Sequence, residues 1–133
     1  MRPPLVPMHD WNQLIHEDNL AQIIDLREAM DVQQNPLPFK TTHIYKGRLR
    51  HVWKKDVVSD RQTILILTGT SMHVLKKAAN FLHKQGYTHI YVTMICRNGQ
   101  DRTEQWERGL WQRWKPFFKL QRPCVCQQDG SLS

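Results

Sequence analysis

The stretch from Thr63 to Ile95 restricts the fold more than any other part of the chain. Thr63-Ile64-Leu65-Ile66-Leu67-Thr68 is an unbroken apolar run, the pattern of a strand covered on both faces in a parallel sheet. Gly69-Thr70-Ser71 follows as a turn ending in a helix-capping residue. Beyond it, Leu75, Ala78, Ala79 and Leu82 recur at i, i+3, i+4 and i+7, while Lys76, Lys77, Asn80 and Lys84 face away. Gly86 stops this helix, predicted over 72–85, and His89-Ile90-Tyr91-Val92-Thr93-Met94-Ile95 reads as a second strand. Strand, helix and strand in so short a span make a right-handed crossover unit. The predicted class is therefore α/β, with a central, mostly parallel sheet and helices on both faces.

The rest of the chain is read around that unit. Ile23-Ile24-Asp25-Leu26 is a short buried strand ending in Arg27-Glu28. Asp10 is placed to cap a short helix over Trp11, Leu14 and Ile15. Residues 1–9 read as a flexible arm, because Pro3, Pro4 and Pro7 lack backbone donors. Residues 30–42, with Asn35, Pro36 and Pro38, read as loop, and 43–58 fits no single period. A last helix is expected over about 103–118, its stripe of Trp106, Leu110, Trp114 and Phe117 closing a face of the sheet. Residues 121–133 read as a flexible tail carrying Cys124 and Cys126, which leaves 10–120 as one domain.

Composition narrows the function classes. No run approaches the ~18 apolar residues of a membrane span, and the opening has no apolar core of signal-peptide length. Three cysteines, an odd number, form no closed disulfide framework, which points to a cytoplasmic protein. No histidine pair has helical metal-ligand spacing, so neither metal nor cofactor is expected. Residues 1–39 carry two basic and six acidic side chains, whereas 40–122 carry seventeen basic and five acidic. That asymmetry favours anionic partners: a phosphate- or sulfur-bearing anion, or a protein. Basic and aromatic residues interleave between His43 and Trp53, yet no recognition signature accompanies them, and nucleic acid is not an expected partner.

From Trp11 to Val92 the chain resembles the rhodanese-like domain. Ile23-Ile24-Asp25-Leu26-Arg27-Glu28 is similar to that family's strand end of two hydrophobic residues, Asp, Val, Arg and Glu. His43-Ile44 with Gly47 echoes its Gly-His-Ile-Pro-Gly-Ala loop. Gly86-Tyr87-Thr88-His89-Ile90-Tyr91-Val92 resembles its Gly-Tyr-x-x-Val-Tyr strand. The resemblance implies an active loop after Ile64–Thr68. Active members carry a persulfide on a cysteine there, and this chain has Thr68. A threonine hydroxyl holds no persulfide, so standard thiosulfate sulfurtransferase activity is not expected. The loop amides of Gly69, Thr70 and Ser71 remain candidates for holding an anion.

A second loop offers a different chemistry. Cys96-Arg97-Asn98-Gly99-Gln100-Asp101-Arg102-Thr103 is similar to the Cys-x5-Arg-Thr phosphate loop of cysteine-dependent tyrosine and dual-specificity phosphatases. In such a loop, backbone amides and a helix N-terminus favour the thiolate of Cys96, and Arg102 grips the phosphate. Arg97, Gly99 and Thr103 would complete the anion site, with Asp56 or Asp60 upstream, or Asp101 within the loop, as general acid. Three readings stay open. The first is a binding or accessory module of rhodanese type, the second a phosphatase or sulfurtransferase using Cys96. The third is a basic adaptor for nucleic acid or an acidic partner.

Overall fold

The computed structural model describes residues 3–16 and 21–103. The expected last helix with its Trp106–Phe117 stripe, and the tail with Cys124 and Cys126, lie outside the described residues. A 3-10 turn at Met8–Asp10 leads into α1 (Trp11–His16), then β1 (Ala21–Asp25) and α2 (Ala29–Gln34). After β2 (Thr42–His43) and a 3-10 turn at Lys46–Arg48 come α3 (Leu49–Asp56), β3 (Ile64–Gly69), α4 (Met72–Lys84) and β4 (Ile90–Met94). The sheet order is β2-β1-β3-β4, with every pairing parallel. This is the α/β class that the crossover unit predicts.

Alternation along the strands divides the core into two layers. Ile24, Leu65, Leu67, Val92 and Met94 face α3 and α4, meeting Leu49, Leu75, Ala79 and Leu82. Ile23, Ile66 and Ile95 face the other way, onto Trp11 of α1 and Leu37. Trp11 is fully buried, and its ring meets Phe39 edge-on at 5.0 Å. Ser71 caps α4 by accepting a hydrogen bond from the Val74 amide at 3.4 Å.

Three local expectations are corrected. Residues 29–34, read largely as loop, form α2; the helix breakers at Asn35 and Pro36 end it rather than prevent it. The aperiodic 43–58 segment contains α3, whose Leu49, Val52 and Trp53 follow helical spacing while Val57 and Val58 lie beyond its end. Nor is the proline-rich opening loose along its whole length. Leu5 bridges Val92 in parallel, with Val6 N–H donating to Val92 O (2.9 Å) and Val92 N–H to Pro4 O (3.0 Å). Pro4 enters this pairing through its carbonyl alone, which needs no N–H, and Pro3 and Pro7 fall at the alternate positions that do not face β4.

Candidate functional site

In open parallel sheets, ligand sites form beyond the C-terminal ends of the strands. Here that end carries a row of polar residues in register: Asp25 pairs with Thr68, and Thr68 with Thr93. All three are fully buried. Thr68 Oγ1 donates to Thr93 O at 3.1 Å. Thr93 Oγ1 accepts from Trp11 Nε1 at 2.8 Å and donates to Val6 O at 2.6 Å. Each hydroxyl in the row is therefore engaged inside the protein.

Arg27 dominates the next layer outward. Its Nε donates to both Asp25 carboxylate oxygens at 3.1 Å, and Nη2 donates to Oδ2 at 2.8 Å. Its remaining donors reach Arg97 O (2.9 Å), Asn35 O (2.9 Å) and Asp31 O (3.4 Å). The guanidinium has no exposed surface and ties together the end of β1, the helix α2 and the loop after β4. His43 Nε2 lies 2.7 Å from Arg27 O, which draws β2 into the same cluster. Sequence reasoning placed Arg27 only as a strand-end residue, although arginine is suited to such a multidentate, buried role.

The loop of Cys96 to Thr103 does not present a ring of free amides. Cys96 N–H donates to Gln100 O and Gly99 N–H to Cys96 O, both at 2.8 Å; Gln100 N–H goes to Asn98 Oδ1 at 2.9 Å. Arg102 N–H donates to Met94 O and Thr103 N–H to Asp101 Oδ1, each at 2.8 Å. Gly99, at φ +88°, makes the turn, and a Cβ there would stand 3.2 Å from Leu37. A phosphate cradle points such amides at the anion, whereas those of Gly99, Gln100 and Arg102 are bonded within the protein.

The candidate catalytic residues are correspondingly dispersed. Cys96 is 2% exposed, enclosed in the core where β4 ends. The Arg102 guanidinium is pushed below its ordinary value by burial, and its Nε is buried without a hydrogen-bond partner among the described residues. Thr103, fully buried, accepts from Met94 N–H (2.9 Å) rather than facing the sulfur pocket. Asp101 accepts from Met8 N–H at 2.6 Å and so fastens the N-terminal segment. Arg97 is exposed and pairs with Asp31 at 3.3 Å.

Asp56 and Asp60 belong to the opposite end of the sheet. Asp56 O accepts from Gln22 at the start of β1 (2.7 Å), and Asp60 O accepts from Thr63 N–H just before β3 (3.1 Å). Because the strands are parallel, a strand length of ~15 Å separates their loops from the one that follows β4. Neither is brought to Cys96. Gly69, Thr70 and Ser71 do lie at the C-terminal end, where Gly69 O accepts from Ile95 N–H (2.9 Å) and Ser71 caps α4. Among the described residues no group of three or more His, Cys, Asp or Glu side chains could hold a metal, and no helix is long and apolar enough to cross a membrane.

The architecture matches two solved structures of one protein. The rhodanese-like domain of the Alr3790 protein from Anabaena sp. superposes with a TM-score of 0.51 at 13% identity, covering 76% of this chain and 99% of that one. This chain has a rhodanese-like fold. A second structure of Alr3790 superposes with a TM-score of 0.53 at 11% identity, covering 74% of this chain and 93% of that one. No family model and no curated protein matches the chain by sequence. Within the rhodanese-like fold, the loop between β3 and α4 consists of Thr70 and Ser71 alone.

Proposed function

We propose that this chain is a rhodanese-like module without standard thiosulfate sulfurtransferase activity, acting as an anion- or partner-binding accessory domain. Thr68 carries this reading. It stands where the resemblance puts the persulfide cysteine, it is fully buried, and its hydroxyl is committed to Thr93 O. Two residues between strand and helix leave little backbone to surround a persulfide. An anion at this end would meet the first-turn amides of α4 that precede the Val74 N–H, which Ser71 caps.

A thiosulfate:cyanide assay tests the proposal. Thiocyanate is expected to stay at the buffer blank, both for the native chain and for Thr68→Cys. The substituted thiol would enter the buried polar row and not an open cradle. Robust thiocyanate production by the native chain that survives Cys96→Ser would overturn the reading. Production that Cys96→Ser abolishes would also overturn it, and would move the chemistry to the loop after β4.

A further inference from the structure

We propose that the outer face of α3 and α4 binds the phosphate backbone of nucleic acid without reading its sequence. Between residues 32 and 100 the only acidic side chains are Asp56 and Asp60. Over the same span the fold gathers lysines and arginines onto one layer. Arg50, Lys54 and Lys55 of α3 and Lys76, Lys77 and Lys84 of α4 are all exposed. The two helices adjoin on one side of the sheet: Trp53 meets Phe81 edge-on at 6.2 Å, and the Arg50 guanidinium lies 5.9 Å over the Phe81 ring. Arg50 thus sits at the seam, joining the two rows of charge. Among the described residues the ion pairs are His9–Asp10, Asp25–Arg27 and Asp31–Arg97, so none neutralises either helix.

The chemistry of this face selects the partner. Its apolar residues, Leu49, Leu75, Ala78, Ala79 and Leu82, are turned into the sheet. The exposed large hydrophobic residues among those described are Met30, Tyr45 and Val58, none of them in α3 or α4. A protein partner wants an apolar anchor and a surface depleted in lysine, and a membrane surface wants an apolar face to bury; both are missing here. Trp53, already packed against Phe81 and Tyr87, offers no free ring for base stacking. What remains is a set of point charges. Lysines of this kind contact phosphates and position a duplex without reading it. α4 is about 20 Å long, and a duplex of that length carries roughly a dozen phosphate charges.

Fluorescence anisotropy with labelled 20-base-pair DNA duplexes of two unrelated sequences tests this proposal on the full chain. Both duplexes are expected to bind equally. With about four phosphate contacts, affinity should fall roughly 100-fold between 50 and 200 mM salt. Lys76→Gln/Lys77→Gln should lower the salt slope by about two and weaken both duplexes alike, with an unchanged circular dichroism spectrum. Lys40→Gln, in the loop beside Phe39 on the opposite face, should leave the slope nearly unchanged. No binding at 50 mM salt would overturn the proposal. So would a slope that Lys76→Gln/Lys77→Gln does not move, or tighter binding to phosphatidylserine vesicles or polyglutamate than to DNA.

Discussion

Arg27→Met is expected to cost about 3–5 kcal/mol of folding stability, because it leaves a buried carboxylate without its partner. The Asp25 side chain is almost wholly buried and takes three hydrogen bonds from the Arg27 guanidinium. The same substitution removes the donors from three backbone carbonyls in two other segments. Arg27→Lys should rescue little, since an ammonium cannot reproduce a planar fork. Asp25→Asn combined with Arg27→Met should recover part of the loss by removing the stranded charge. Urea denaturation followed by circular dichroism measures all three. An unfolding free energy for Arg27→Met within about 1 kcal/mol of the native chain's would show that the clasp is not what holds the end of β1.

Trp11→Ala is expected to lose a further large amount, about 3–5 kcal/mol for removing a fully buried indole from the smaller core layer. Trp11→Phe separates packing from hydrogen bonding. It keeps a ring against Phe39 but leaves Thr93 Oγ1 without the indole donor, a cost of about 1–2 kcal/mol. The two variants should therefore unfold in the order Trp11→Ala, Trp11→Phe, native chain as urea rises. Equal midpoints for both would assign the whole effect to the hydrogen bond and none to the ring.

Where the chain is periodic, its fold was readable. The strands β3 and β4 and the helix α4 lie within a residue of their apolar patterns, because each buries one regular face. The helices α2 and α3 were harder: six and eight residues give barely two turns, and neighbouring prolines or valines blur the period. The loop after β4 shows a different limit. Cys-x5-Arg describes distances along the chain, whereas a phosphate cradle depends on where amides point. The Asn98-Gly99 pair was the readable counter-signal, being a turn dipeptide that closes the loop on itself. Asp56 and Asp60 illustrate the same point at larger scale. They precede β3 whereas Cys96 follows β4, and in a parallel sheet those positions lie at opposite ends however near they are in sequence.

The pairing of the N-terminal segment with β4 bears on how copies of this protein meet one another. An open sheet edge is a template on which another chain can add a strand, the first step of many aggregates. Along the outer rim of this segment the residues facing away from β4 are Pro3, Leu5 and Pro7, since Pro4 and Val6 point inward to bond Val92 and Thr93. Two of those three lack an N–H, and the carbonyl of Pro7 is already taken by Asp10 N–H. An incoming strand would find one donor where it needs a ladder. At the far side of the sheet β2 is only two residues long, too short to seed pairing. The prolines that make the opening look unstructured thus act as a stop on intermolecular strand addition.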